Sequence, residues 1–305
     1  MKKKLFTAIL IVIAISLFGG YLYANNTSKS TVTGNIITLQ QADAPKKTKE
    51  CPNMFISWNL KDFGKKKTDD SIERIADIVC TNANIIAVQE VVAGKQFGAQ
   101  TVARLAAACS RKGRNWDYIV SDEAARGSFD VERYAYLFEK SIVSTDRNTA
   151  HLIQNGWLHD YGREPYTITF KLKQRDIVTV TTLHAPPTAK YPITTIEALI
   201  QLEELKGSGR AIFSGDFNLG KDATDPSFAK LGFTGHINEP TSLKNNVIAG
   251  KYREKQYDNI YTRGIHVCSS GVINFAEKYY SPVTTESIKE AKKVSDHLPV
   301  FVTFE

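Results

Sequence analysis

Two histidines stand at the ends of apolar segments, where they could carry out acid–base catalysis. His184 ends one apolar segment, and His297 follows Asp296 at the start of another. Imidazoles change charge near neutral pH, so two of them can serve as general base and general acid. Each ring needs a carboxylate on its far nitrogen to hold the tautomer and support the charged form, and Glu132 and Asp258 are available for that. The sequence therefore predicts two catalytic histidine–carboxylate pairs.

Oxygen-bearing side chains recur where other apolar segments end. A single Asp or Asn at such a place is usually a turn former, so the hypothesis depends on the whole set converging. Carboxylate and amide oxygens without cysteine suit hard cations, so the predicted cofactor is Mg²⁺, with Mn²⁺ or Ca²⁺ as alternatives. The candidate ligands are the carboxylates Glu90, Asp216, Asp258 and Asp296 and the amides Asn59 and Asn218. A cation neutralises the charge of a phosphodiester, while imidazoles deprotonate the attacking water and protonate the leaving oxygen.

Short apolar runs and a few amphipathic segments must position these side chains. The runs predict strands at 54–60, 84–90, 116–120, 133–139, 165–172, 177–184, 211–215, 257–261, 265–272 and 298–304. In the last of these, apolar residues alternate with less apolar ones, so only one face should need a core. Helices are predicted after the capping residue Thr68, around 102–109 and over 193–206. Many strands with few, grouped helices predict an α+β, four-layer sandwich of two packed, mostly antiparallel sheets flanked by helices.

The two ends of the sequence differ in character. Residues 1–24 combine lysines, an apolar centre and a final small residue, which predicts a signal peptide. The alternative is an uncleaved membrane anchor formed by residues 5–24, because that stretch approaches bilayer-spanning length. Residues 25–50 are polar and predict a linker or arm, and residues 51–305 predict one catalytic domain. We expect a secreted or periplasmic protein, or one held at the membrane by its N-terminal segment.

Charge and cysteine content agree with an exported protein that acts on a polyanion. The net charge is +7 and falls to about +4 without the three export lysines, a mild basic bias that is compatible with such a partner but does not prove one. The lysines at 46–47 and 65–67 are interpreted as solvated charges. Four cysteines permit two disulfides in three pairings. Cys80 and Cys109 each end a helical segment and are the favoured pair, which leaves Cys51 with Cys268.

Several motifs resemble the endonuclease/exonuclease/phosphatase superfamily, and in particular deoxyribonuclease I, over nearly the whole domain. Four superfamily motifs lie at 57–64, Val88-Gln89-Glu90, Ser214-Gly215-Asp216-Phe217-Asn218 and 295–300. Segments similar to the deoxyribonuclease I branch are Glu132-Arg133-Tyr134, Gly162-Arg163-Glu164-Pro165, Leu183-His184-Ala185 with Pro187, and Tyr257-Asp258-Asn259-Ile260. One departure is the loop 126–131, which is one residue longer than the family loop that enters the DNA minor groove.

The resemblance implies a role for each site residue. Glu132 and Asp258 would orient His184 and His297, with His297 as base and His184 as acid, or the reverse. Glu90, with Asp296 and Asn59, would hold Mg²⁺ against the scissile phosphate. Asp216 and Asn218 would hold a second metal or the phosphate itself. Arg163 would contact a DNA phosphate, and Phe129 would stand in place of a tyrosine that stacks on the sugar.

The resulting hypothesis is an exported, divalent-metal-dependent endonuclease that hydrolyses double-stranded DNA with little sequence specificity. It is expected to be a monomer without an obligate protein partner, and to touch a membrane only through an uncleaved N-terminal segment. The alternative is a phosphodiesterase of the same fold on another phosphoester, such as a sphingomyelinase or an inositol-phosphate phosphatase. A binding module without catalysis would require a missing catalytic group, and none is missing.

Overall fold

A computed structural model describes residues 51–124, 131–156, 158, 163–173, 176–187 and 191–305. The strands within these ranges are β1 (Asn53–Phe63), β2 (Ile85–Val92), β3 (Trp116–Val120), β4 (Glu132–Glu139), β5 (Val143–Thr145), β6 (His151–Leu152), β7 (Tyr166–Leu172), β8 (Ile177–His184), β9 (Ala211–Asp216), β10 (Thr234–Gly235), β11 (Leu243–Ile248), β12 (Lys251–Arg253), β13 (Asp258–Arg263), β14 (Val267–Val272) and β15 (Val300–Phe304). The α-helices are α1 (Asp69–Val79), α2 (Gly98–Arg111), α3 (Tyr191–Leu199), α4 (Lys221–Ala229), α5 (Phe275–Tyr280) and α6 (Thr285–Val294).

The strands form two large sheets and one small hairpin. The first sheet has the order β14-β15-β1-β2-β4-β3, and the second has the order β10-β13-β9-β8-β7-β5, with β6 also paired to β7. The hairpin consists of β11 and β12. The pairs β1–β2 and β8–β9 are parallel, and every other pair described is antiparallel. Each sheet thus has a parallel pair near its centre, and the predicted fold class is confirmed.

Three apolar clusters show how the layers pack. One lies between the sheets and contains, among others, Phe55, Tyr136, Phe170, Val180 and Val302. The second packs α1, α2, α5 and α6 against the outer face of the first sheet, and the third covers the outer face of the second sheet with α3 and α4. Burial of apolar side chains in three successive layers is therefore what holds the four-layer arrangement together.

Two expectations about secondary structure and core are wrong. The helix expected over 193–206 ends at Leu199, and a 3₁₀ turn follows at Glu203–Leu205. The strand β15 is buried on both faces, because helices cover the outer face of its sheet and the second sheet covers the inner face. Its Phe301 packs with the helices on the outer face, while Val300 and its alternate neighbours face the second sheet.

Lys67 is also not the solvated charge expected from the sequence. The residue is buried, and its Nζ donates hydrogen bonds to the carbonyl oxygens of Lys293 and Val294 at 3.2 and 2.6 Å. These carbonyls belong to the last turn of α6, where a positive charge is favourable against the helix dipole. Lys65 and Lys66 beside it are exposed, as expected.

Both disulfides have the favoured pairing. Cys80 is joined to Cys109, which links the ends of α1 and α2, and Cys51 is joined to Cys268, which links the start of β1 to β14. Two disulfides fit an extracellular location. Among the residues described, no helix combines the length and the apolar content needed to cross a bilayer.

Candidate active site

The site lies at one end of the sandwich, where the carboxyl ends of both parallel strand pairs meet. In the second sheet, His184 at the end of β8 is paired in register with Asp216 at the end of β9. Asp216 is in turn paired with Asp258 at the start of β13. In the first sheet, Asn59 lies near the end of β1 and Glu90 near the end of β2. The strand order thus brings side chains far apart in sequence to one place.

The backbone has a positive φ at or just after three of these strand ends. Gly215 has a φ of +141°, and a Cβ there would meet the carbonyl oxygen of Leu183 at 1.8 Å, so only glycine allows the close approach of β8 and β9. Glu90 and Asn218 have φ values of +58° and +49°, which are left-handed conformations for side-chain-bearing residues. Such backbone is costly and is found preferentially at functional sites.

His184 forms the first imidazole–carboxylate pair. Its Nδ1 lies 3.0 Å from both carboxylate oxygens of Glu132, and both residues are buried. The backbone N–H of His184 donates to the hydroxyl of Tyr134 at 3.2 Å, which fixes the strand end. Burial alone disfavours the charged ring, but the Glu132 carboxylate outweighs it and raises the pKa of His184. The nearby Arg163 guanidinium opposes that rise.

His297 forms the second pair with Asp258. The distance from its Nδ1 to Oδ2 of Asp258 is 2.7 Å, and the same oxygen accepts a hydrogen bond of 2.6 Å from the hydroxyl of Thr241. The indole of Trp58 donates to the carbonyl oxygen of His297 at 2.7 Å and holds its backbone. Burial again disfavours the charged ring, but Asp258 and Asp216 outweigh it and raise the pKa of His297 to about 10.

Asp216 lies between the two rings. Its Oδ2 is 3.7 Å from Nε2 of His184 and 3.5 Å from Nε2 of His297. Burial opposes ionisation of Asp216, but the two imidazoles outweigh it and lower the pKa of its carboxyl. Both predicted histidines therefore direct their free nitrogens at the same small space, each braced from behind by the predicted acidic partner.

Glu90 and Asn59 complete the floor of this space. The side-chain nitrogen of Asn59 donates to Oε1 of Glu90 at 2.9 Å and to Oδ2 of Asp216 at 3.0 Å. The other oxygen of Glu90 accepts the backbone N–H of Asp62 at 2.9 Å. The Asn59 amide thus presents its nitrogen to the two carboxylates, and its oxygen accepts the backbone N–H of Lys61.

Asp296, the remaining predicted metal ligand, is held differently. Its Oδ2 forms an ion pair of 2.6 Å with Nζ of Lys61. The two residues line the same cavity as the histidines, so Asp296 faces the site although a lysine binds one of its oxygens. Lys61 was not among the predicted site residues. Its only sequence signal is its position two residues after Asn59 on the same strand.

The donor set fits a divalent cation of the Mg²⁺ type. Glu90, Asp216 and Asp296 supply carboxylate oxygens within one cavity, and hard cations take such ligands. A tighter group consists of Asp216, Asp258 and His297, whose ligand atoms lie within 4.8 Å of one another. We favour the carboxylate set over this group, because Asp258 already bonds His297 and Thr241 through one oxygen.

Besides Asn59, the predicted substrate-binding residues are Arg163, Asn218 and Phe129. Arg163 is buried, with Nη2 at 3.6 Å from a Glu132 oxygen and Nη1 at 3.4 Å from the carbonyl oxygen of His184. Asn218 lines the cavity, and its side-chain nitrogen donates to the carbonyl oxygen of Ala185 at 2.8 Å. Phe129 lies outside the described residues. Arg163 and Asn218 thus stand at the histidine end of the cavity.

The cavity that these residues form has a volume of about 380 Å³. Its described lining consists of Lys61, Asp62, Glu90, Val92, Val131, Glu132, Arg163, His184, Pro187, Asp216, Asn218, Asp296 and His297. Charged and polar side chains dominate the lining, unlike the apolar pockets that bind most small organic ligands. The cavity is therefore suited to a polar or charged group, and its carboxylates would have to be neutralised before an anion could enter.

Comparisons with known proteins agree with this fold. No protein-family model matches the sequence. A curated protein described as a deoxyribonuclease, from Thioalkalivibrio sp. (strain K90mix), is 24% identical over 270 residues, which cover 82% of this chain and 70% of that protein. An endonuclease/exonuclease/phosphatase family protein from Bacteroides thetaiotaomicron has a similar structure, with a TM-score of 0.59 and 20% identity over 83% of this chain and 97% of that one.

Two further solved structures have a similar fold. A mannosyl-6-phosphatase from Bacteroides thetaiotaomicron has a TM-score of 0.55 and 18% identity, over 83% of this chain and 99% of that one. D. rerio TDP2 in complex with a single-strand DNA product has a TM-score of 0.53 and 16% identity, over 83% and 98%.

The chain has the fold of solved endonuclease/exonuclease/phosphatase family proteins. The predicted resemblance to that superfamily is confirmed at the level of the fold, and the sequence is similar to that of a curated deoxyribonuclease.

Proposed function

We propose that this protein is an exported, divalent-metal-dependent endonuclease that hydrolyses DNA phosphodiester bonds with little sequence specificity. The observation that carries the proposal is the pair of imidazoles that face the same carboxylate. The Nε2 atoms of His184 and His297 lie 3.7 and 3.5 Å from one oxygen of Asp216, and each Nδ1 is bonded to its own carboxylate. Hydrolysis of a phosphodiester needs one group to accept a proton and another to donate one, and this arrangement supplies both.

The charges around the rings favour one assignment of the two roles. Asp216 favours the charged form of both rings, and each ring has its own carboxylate partner. At His184 the Arg163 guanidinium opposes protonation, whereas at His297 Asp296 adds a further carboxylate that favours it. We therefore propose that His184 accepts the proton of the attacking water and that His297 protonates the leaving oxygen. These roles are the reverse of the first assignment in the sequence analysis, which has His297 as the base and His184 as the acid.

Glu90, Asp216 and Asp296 would hold the divalent cation. When bound, it would neutralise charge on the scissile phosphate and so favour attack by water. Lys61, which pairs with Asp296, adds a further positive charge on the same side of the cavity. Arg163 and Asn218 would contact phosphate oxygens at the other side, and such contacts position a nucleic acid without reading its sequence.

Three observations support DNA as the substrate and export of the protein. The deoxyribonuclease I-like segments supply Glu132, Arg163 and Asp258, and all three lie at the site. The match to a curated deoxyribonuclease points the same way. The two disulfides and the signal-like N-terminal segment support export.

Nicking of supercoiled plasmid with and without a chelator tests the proposal. The wild-type protein should nick in Mg²⁺ and stop when the metal is removed. His184→Ala and His297→Ala should each lower the rate by roughly two to four powers of ten, the usual scale of acid–base catalysis. His151→Ala changes an exposed histidine outside the cavity and serves as the matched control. Equal nicking by both site variants would rule out the assignment.

A substrate with a good leaving group separates the two histidines. 4-Nitrophenolate leaves without protonation, so loss of the general acid matters little for a 4-nitrophenyl phosphodiester. His297→Ala should therefore lose much less activity on that ester than on DNA, whereas His184→Ala should lose activity on both. The opposite pattern would instead indicate that His297 is the general base and His184 the general acid.

The alternative is hydrolysis of another phosphoester by the same site. The mannosyl-6-phosphatase shows that a related fold can serve a small sugar phosphate. Parallel assays with sphingomyelin, an inositol phosphate and plasmid DNA distinguish the two. Metal-dependent release of phosphate or phosphocholine without plasmid nicking would favour the alternative.

A further inference from the structure

A second cavity continues the candidate active site in one direction. It has a volume of about 330 Å³ and shares Asp62, Val92 and Val131 with the catalytic cavity. Its other lining residues are Gly64, Lys65, Lys66 and Ala93. These residues belong to the turn after β1 and the loop after β2. The two cavities therefore adjoin along the ends of the central strands. We call the second cavity the lysine trough.

The lysines of this region differ in what they bind. The ammonium of Lys61 is paired with Asp296, and that of Lys67 caps α6. Lys65 and Lys66 are exposed, and neither forms an ion pair with any residue that the structure describes. Their charges are therefore free to attract an anion that lies in the trough.

The sign of the charge changes from the catalytic cavity to the lysine trough. The catalytic cavity is rich in carboxylates, which must be neutralised before a phosphate can approach. In the lysine trough, the two ammonium groups outnumber the single carboxylate of Asp62. A substrate with one phosphate would use only the first cavity. A chain of phosphates would also gain from the second.

We propose that the lysine trough binds the phosphate backbone of a nucleic acid strand next to the scissile phosphate. This inference rests on the proposed nuclease function and adds that the substrate is an extended polyanion. Lys65 and Lys66 contact backbone phosphates, and the apolar wall of Val92, Ala93 and Val131 lies along the sugars. Such contacts supply affinity without sequence readout.

The test compares two substrates in three proteins. Lys65→Gln/Lys66→Gln removes the free charges of the trough. Lys171→Gln/Lys173→Gln removes two exposed lysines at the end of β7 farthest from the site and is matched in charge. Each protein is assayed on a fluorescent duplex of about two helical turns and on bis(4-nitrophenyl) phosphate, over a range of salt concentrations.

The trough variant should lose about tenfold in kcat/KM on the duplex, mainly through KM, and its salt slope should be smaller by about two. Its loss on the small diester should be far smaller, and the control should keep both activities. Equal salt slopes and equal duplex rates in the trough variant and the wild type would overturn the inference and leave the nuclease proposal standing. A wild-type protein that cuts neither substrate in Mg²⁺ would overturn the nuclease proposal, and the inference with it.

Discussion

The His297–Asp258 pair should make the stability of the metal-free protein depend on pH. The folded protein raises the pKa of His297 from 6.5 to about 10. A raised folded pKa means that the pair stabilises the fold fully below about pH 6.5, and that this contribution is lost as the pH rises toward 10. We therefore expect a chelator-treated sample to lose stability across this window, and His297→Gln to lose much less.

The size of the effect follows from the shift. One pKa unit corresponds to about 1.4 kcal/mol, so a rise from 6.5 to about 10 sets an upper value of about 5 kcal/mol. His297 is largely shielded from water, with 13% of its side chain exposed, so solvent screening removes only part of this. The wild-type free energy of unfolding should then fall by roughly 1 kcal/mol per pH unit relative to the variant.

Urea unfolding in EDTA at several pH values between about 6.5 and 9.5 measures this difference. His151→Gln replaces an exposed histidine and should keep the wild-type slope. The variant His297→Gln should be least stable relative to wild type at the acidic end, and the two curves should converge toward the alkaline end. Parallel curves would refute the reasoning, because His297 would then carry no raised pKa in the folded protein.

Two further predictions concern how the sheets are held together. Gln89 donates to Ser57 of its own sheet at 3.1 Å and to Thr182 of the other at 2.7 Å, and all three are buried. Gln89→Leu should therefore cost about 1–3 kcal/mol in urea unfolding and lower plasmid nicking, and an unchanged midpoint would contradict this. The Cys51–Cys268 disulfide spans 217 residues, so Cys51→Ser/Cys268→Ser should cost about 5 kcal/mol by the chain-entropy model. A loss below about 1 kcal/mol in the same assay would show that the unfolded chain is already restricted.

The parts of the site predicted from the sequence are those that stand at strand ends. Apolar runs locate the strands, and the polar residue after each run marks its end. That is enough to nominate His184, Glu90 and Asp216. Sequence motifs then supplied Glu132 and Asp258 as partners, and the structure places both against the predicted rings. Their catalytic and metal-binding roles remain predictions.

Other contacts carry no such signal. Thr241 bonds Asp258 from a segment between strands, and nothing in its local sequence distinguishes it from other threonines. Lys61 looks like an ordinary surface lysine until the fold brings Asp296 to it from a distant part of the chain. Lys67 belongs to a run of lysines, and only the packing of α6 shows that it is buried. Each of these depends on a tertiary contact rather than on local pattern.

The pairing of β1 with β15 has a practical consequence. Asn53 and Phe304 are partners in the ladder, so the first and last residues of the sandwich lie side by side. Asn59 is six residues further along β1, about 20 Å away at the usual rise of a strand. A bead, a fluorophore or a carrier protein could thus be attached through Glu305, which follows Phe304, and the cleft would still open away from the attachment point.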